Sequence, residues 1–441
     1  MSNINLNIDV HHVTRVEGHG DIVVRMKDGV LEKCNLEIVE PPRYFEAMLR
    51  GRNWREAHII TSRICGICSI GHVTASVNAT EEALGLTLSE QDTLLRKLIL
   101  HGETLQSHIL HVYFLVAPDL LKVPSVFPLI PTHKEVVVRA LRMKGNANLM
   151  CDLLAGRTIH PIAVVPGGYT MLPTKETLLK VKKMLTDVMI PDAAATLETL
   201  KALAPALPDF TRETEYIALR DENDAEYAFY KGNIASSDTG VTSHKNYRKM
   251  TNEFCLDYTT SKRCKANRGS LMVGALARFN INSELLHPLA KKMCAELGLK
   301  APCYNPFMNN VAQFVECVHA VEDSLMIIDK LLEMEIDPTP APIDIDFNGG
   351  GTGVGAVEVP RGMLYHEYTY NNKGQITEAN CIIPTGQNMQ NIEDDMRKMV
   401  PELVDAGKSE QEISFLLEML LRAYDPCISC SVHMLDVKFI K

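Results

Sequence analysis

The chain has 441 residues, 46% hydrophobic and 23% charged, enough apolar material for one large domain or two to three ordinary ones. Its formal charge of −10, with fifteen histidines counted neutral, argues against a nucleic-acid surface and against an anionic membrane surface. No apolar run approaches the roughly eighteen residues of a membrane span, and the start MSNINLNIDVHH lacks the basic, apolar and small-residue parts of a secretory signal, so a cytoplasmic location is expected.

In chain order, Ile4, Leu6, Ile8 and Val10 alternate with polar residues. The run GDIVVRMKDGVLEKCNLEIVE comes next, with Lys27-Asp28-Gly29 as a turn, and together these predict an N-terminal β region over 1–40. From Pro42 the spacing becomes helical, through YFEAMLRG and WREAHIITSRIC. Glu90 to Val116 keeps a 3.6-residue apolar period and predicts a helix of about seven turns. ETLLKVKKMLTDVMIPDAAATLETLKAL, INSELLHPLAKKMCAELGL and VAQFVECVHAVEDSLMIIDKLLEMEI read as helices too. So do NIEDDMRKMVPELVDAG and EQEISFLLEMLLRAYDP, the last stopping near Asp425-Pro426 because proline cannot continue it. Between 208 and 270 the signal is mixed and suggests an inserted α/β lobe. NGGGTGVG, in the run from Asn348 to Gly362, lacks the lysine of a phosphate-binding loop; its glycines predict close backbone approach. The expected fold is mainly α with α+β elements. It is a single large domain over 1–441, a helical bundle with the N-terminal β region and the inserted lobe.

Eight of the twelve cysteines are scattered (Cys34, Cys151, Cys255, Cys264, Cys294, Cys303, Cys317 and Cys381) and read as free thiols, mainly buried. The other four form two pairs, Cys65 and Cys68 in SRICGICSIGH, Cys427 and Cys430 in YDPCISCSVH. Four thiolates so supplied can surround one soft metal ion. Spacing alone leaves a structural zinc site and a catalytic transition-metal site both open. Zinc pairs usually sit within tens of residues of each other, whereas these lie at opposite ends of the chain, and the βαβ context of a redox dithiol is missing. His101, His108 and His111 read as helix residues rather than ligands.

RICGICSIGH taken with DPCISCSVH resembles the paired signatures of the nickel-iron hydrogenase large subunit. RVEGHG (Arg15 to Gly20), GRTIHPIAVVPGG (Gly156 to Gly168), GALARFN (Gly274 to Asn280) and EVPRG (Glu358 to Gly362) match the family's other motifs in order. The resemblance spans nearly the whole chain. The form PTGQN resembles the cytoplasmic, cofactor-coupled (group 3-like) branch.

This resemblance implies reversible heterolytic cleavage of dihydrogen. Cys65 and Cys427 would be terminal nickel ligands, and Cys68 and Cys430 would bridge nickel to an iron that carries carbon monoxide and cyanide. Glu17 would relay protons from Cys427. Arg361 would hang over the metals, held by Asp119 and Asp425. His72 would hydrogen-bond the Cys430 sulfur. Pro360, Pro384 and Thr385 would line the pocket of the iron's small ligands. A magnesium or iron ion would take Glu46, His433 and the backbone carbonyl of Cys381. Residues 434–441 would be a tail cut by a maturation protease. With no cysteine pattern left for an iron–sulfur cluster in this chain, electrons would leave through an iron–sulfur small subunit and then flavin and iron–sulfur subunits. A hydrogen-sensing relative with the same fold is the alternative, followed by a structural zinc or cysteine site.

Overall fold

Leu6–Val10, Gly20–Lys27 and Val30–Ile38 form an antiparallel sheet in a computed structural model that describes residues 5–341 and 349–432. Leu6 pairs with Met26, Val10 with Ile22, and Gly20 with Ile38. That register turns Leu6, Ile8, Ile22, Val24, Leu36 and Ile38 into the core, as a period of two requires.

The body of the molecule is helical. Glu90–Leu110 and Asn309–Glu333 run through its centre, with Lys134–Ala155 packed alongside. Leu98, Ile99, Met150, Leu154, Ile328 and Leu331 make a common core among them. The seven-turn helix expected from Glu90 to Val116 is regular only to Leu110. His111–Val116 then widens into a π-helical turn, followed by Ala117–Leu120. Pro118, which has no N–H to give the ladder, lies just beyond the widened turn.

The glycine-rich stretch, described from Gly349, enters the strand Gly351–Val359, which pairs with Gly362–Tyr370 and through it with Ile376–Ile382. This sheet lies against the helix Ser69–Leu84. A Cβ on Gly353 would stand 2.1 Å from the Ala79 carbonyl oxygen, and one on Gly355 would stand 2.0 Å from that of Ala75. Glycine every second residue on the strand therefore meets alanine every fourth on the helix. The strands Glu215–Arg220, Asn233–Ser236 and Gly240–Thr242 form a small sheet with Leu271–Met272. Ile217, Leu219 and Ile234 pack it onto Val354, Met363 and Tyr365. A last pair of helices, Pro384–Asp405 and Glu410–Ala423, leads to the second cysteine motif. The first of these starts before the amphipathic run suggests, because PTGQN forms its opening turn with Pro384 at the first helical position. The second ends before Asp425-Pro426, as expected. The architecture is mainly helical with small sheets, and it brings the two cysteine motifs together.

Candidate metal centre

Cys65 follows a single 3₁₀ turn, Ser62–Ile64, and Cys68 stands at the N-terminal cap of the Ser69–Leu84 helix. From the other end of the chain come Cys427 and the short turn Ser429–Ser431, which carries Cys430. One arginine, not singled out in the sequence, ties the two loops: Arg43 donates to the Ile64 carbonyl at 2.8 Å and to the Ser429 carbonyl. Its own N–H donates to the Val432 carbonyl at 3.1 Å.

The four thiols are buried. Sγ of Cys65 lies 3.6 Å from Sγ of Cys427, and the sulfurs of Cys65, Cys427 and Cys430 all fall within 4.8 Å of one another. Cys65 also accepts the N–H groups of Ile67 and Cys68, each at 3.2 Å. Hydrogen bonds from the thiols of Cys427, Cys430 and Cys68 hold Cys65 well below the usual thiol range. Cys68, bonded to Cys65 and buried, is pushed well above it, and so is Cys427, bonded to Cys430 and Cys65. Crowded sulfurs of this kind cannot all ionise beside one another unless a cation joins them. A soft, thiophilic metal fits that donor set.

Arg361 supplies one positive charge at the site. Its guanidinium donates to Cys68 Sγ at 3.4 Å, to Ser107 Oγ at 3.3 Å and to Asp425 Oδ1 at 2.7 Å. Asp425 sits at φ 51° and is further held by Gln313 Nε2 at 3.1 Å. Asp119 is not a second acid on this arginine. It is spent on a forked ion pair with Arg422, at 2.7 and 3.0 Å, and on Arg15. The segment after the π turn carries it past the site to the end of the Glu410–Ala423 helix.

Glu17 lies against the Cys427 sulfur. The Cys427 thiol donates to its Oε2 at 3.1 Å, the Ser429 N–H to the same oxygen at 3.1 Å, and the Ser429 hydroxyl to Oε1 at 2.5 Å. The Ile428 N–H donates to the Glu17 carbonyl at 2.8 Å, so backbone as well as side chain fixes the contact. His72 is buried but pairs with His366, Nδ1 to Nε2 at 3.2 Å; no hydrogen bond to Cys430 forms among the described residues. Burial holds His72 down at about 4, so it stays neutral. Thr385 Oγ1 accepts the Cys427 N–H at 3.0 Å, and Pro384 and Pro360 are buried. Glu103, another residue unnoticed in the sequence, accepts the N–H groups of Ile70 and Gly71 at 2.7 and 3.0 Å. It thereby caps the helix that starts at the first motif, and burial pushes its carboxyl well up.

A second cation site is outlined nearby. Glu46 is fully buried; its Oε1 accepts the Cys381 N–H at 2.9 Å and faces Lys262 Nζ at 3.5 Å, while Oε2 has no hydrogen-bond partner among the described residues. A cavity of about 10 Å³, room for one water, is lined by Cys381, Lys262, Glu253 and Ser431. An orphaned buried carboxylate oxygen is what a hard cation would satisfy. The structure gives Cys381 an amide contact to Glu46, and His433 lies outside the described residues.

The fold around this site resembles that of a crystallised NAD+-reducing [NiFe]-hydrogenase in its H2-reduced state, with a TM-score of 0.86 at 24% identity over 97% of this chain and 99% of that one. In sequence, sulfhydrogenase 1 subunit alpha of Pyrococcus furiosus is 33% identical, over 98% of this chain and 99% of its own length. The NAD-reducing hydrogenase HoxS subunit beta of Cupriavidus necator is 27% identical, over 96% and 94%. The pattern of the family described as nickel-dependent hydrogenase matches residues 43–134 and 213–433, and the chain belongs to that family. It is a nickel-dependent oxidoreductase of the hydrogenase type, and the buried sulfurs of Cys65, Cys427 and Cys430 are close enough together to hold a metal ion.

Proposed function

We propose that the chain is the hydrogen-cleaving subunit of a cytoplasmic, multisubunit enzyme, in which Cys65, Cys68, Cys427 and Cys430 would hold the nickel and iron. The metal pair, when bound, supplies Lewis acidity and a place for the electrons, while positioning and proton movement belong to this chain's own residues. Arg361, fixed by Asp425 and Ser107, points a charge at the sulfurs. Cys427 takes up the proton and hands it to Glu17 Oε2 across 3.1 Å, and the Ser429 hydroxyl on the other carboxylate oxygen is the next donor and acceptor in line. Thr385, whose oxygen is engaged by the Cys427 N–H, keeps a hydroxyl proton that it would offer to a small ligand of the iron. Glu46, with the Cys381 backbone and His433, would hold the magnesium or iron ion.

Electrons leave through an iron–sulfur small subunit. Exposed Ile59, Ile159, Ile162 and Met171 support such a docking face. Ile159 and Ile162 flank His160, whose Nδ1 lies 2.8 Å from the Ser62 carbonyl, close to the first cysteine motif. No described helix is long and apolar enough to cross a membrane.

The observation that carries the proton route is the Cys427–Glu17 contact. Glu17→Gln keeps size and hydrogen bonding but cannot carry the proton. Its complex is expected to hold nickel in normal amount while hydrogen-dependent dye reduction falls ~10²–10⁴-fold. Normal turnover in that variant would remove Glu17 from the route.

A further inference from the structure

GALARFN matches a family motif but has no role in the chemistry described so far. Its glycine and its arginine both bear on Arg361. Val359 pairs with Gly362 across a hairpin whose two tip residues are Pro360 and Arg361. Pro360 has no N–H to stiffen that tip. Gly274, at φ +117°, precedes the helix Ala275–Asn282 and admits the tip: a Cβ there would lie 3.2 Å from the Arg361 carbonyl oxygen. One turn further along stands Arg278, fully buried.

All five N–H donors of Arg278 are used. Nε and Nη2 fork onto Glu316, each at 2.7 Å. Nη1 donates to the Glu358 carboxylate at 2.8 Å and the Val359 carbonyl at 2.9 Å, and Nη2 donates to the Pro360 carbonyl at 3.0 Å. Three successive residues leading to Arg361 are thus held by one planar group. Glu316, which neutralises it, lies one turn beyond Gln313 on the Asn309–Glu333 helix, and Gln313 holds the acid that Arg361 meets. Glu316 also accepts from Tyr227 at 2.7 Å and pairs with His108 at 2.9 Å, next to Ser107, the hydroxyl on Arg361.

We infer that Arg278 is a positioning residue for hydrogen cleavage: it fixes the Glu358 carboxylate and the Val359–Pro360 backbone so that the Arg361 guanidinium, in the role proposed above, stays aimed at the Cys68 sulfur. Lysine cannot replace it, because a single ammonium cannot span the Glu316 fork and three further acceptors.

The test uses the anaerobically purified complex and the variants Arg278→Lys, Arg361→Lys and both together. Arg278→Lys is expected to bind nickel normally and to lose turnover ~10–100-fold, with the double variant no slower than Arg361→Lys alone, because the two act as a unit. A crystal structure of Arg278→Lys should show Arg361 withdrawn from Asp425 beyond hydrogen-bond reach. Multiplying losses, normal turnover in Arg278→Lys, or an unmoved Arg361 would each overturn the inference alone. Normal turnover in Arg361→Lys would overturn the role of Arg361 as well. If Arg278→Lys does not fold, Glu358→Gln replaces it, since it changes one charged acceptor and leaves the others. Its expected loss is ~3–10-fold and vanishes in the Arg361→Lys background; a loss that persists there would overturn the inference.

Discussion

Asp119 and Asp425 carry the same charge, lie equally deep, and resemble the same feature in sequence, yet their neighbours give them different work. Asp425 meets the arginine over the sulfurs, and Asp119 meets two arginines away from them. Asp425→Asn keeps a side chain that tolerates the positive φ of this position and removes only the charge. Turnover per nickel should fall ~10–100-fold, and stability should fall too, because Arg361 is left buried without its carboxylate. Asp119→Asn leaves Arg422 buried with half its compensation, at a cost of ~3–5 kcal/mol, and turnover per nickel should stay within a few-fold of normal. Turnover per nickel on both variants, read as hydrogen-dependent dye reduction, separates the two roles. The reverse pattern would put Asp119 back at the site.

At the scale of elements, the contact that sets the geometry is the glycine-striped strand Gly351–Val359 against the helix Ser69–Leu84. The helix starts at Cys68 and the strand ends just before Arg361, so the gap between them sets where the arginine stands relative to the sulfur. Gly353→Ala puts a methyl 2.1 Å from a helix carbonyl, in backbone that cannot yield locally. It should destabilise the subunit by ~1–3 kcal/mol and lower its nickel content as well. A variant with normal melting temperature and normal nickel would show that the helix can ride outward freely. The alternation of glycine was legible as a need for close approach, but which partner approached was not. The partner is a stripe of Ala75, Ala79 and Ala83 far away in sequence, and nothing local pairs the two periods.

For the whole molecule, burial governs the response to pH. His58 and His319 are held down at about 4 and about 3, in both cases by burial first. Between pH 6.5 and those values the unfolded chain takes up protons that the folded chain refuses, so stability falls as pH falls. At pH 5 each contributes a loss of up to ~2 kcal/mol relative to pH 7. His287 works the other way: bonded to Asp323, it is raised, and its stabilisation is present below pH 6.5 and lost as pH rises through its folded value. Buried Glu358, raised to about 7, gains stability over the same window, so the test is by difference: His319→Asn should show a smaller loss of stability between pH 7 and pH 5 than the parent, a changed slope. An unchanged slope would mean that this histidine is protonated in the fold.

The sequence by itself determined the elements and the chemistry: apolar periods marked the strands and most helices, and two cysteine pairs with four further motifs marked a metal site of the hydrogenase type. Those signals are local, carried by residue types within a few positions of each other, and survive without knowledge of the fold. Glu17 and Arg361 stood out for the same reason, as members of short motifs, and they lie beside Cys427 and Cys68. What only the tertiary structure decided is who meets whom. Asp119 turned to Arg422, His72 turned to His366, Arg43 tied both cysteine loops, and Arg278 and Glu316 framed the arginine hairpin. A buried charge must find its partner wherever the chain passes closest, and that is set by the packing of distant helices and strands.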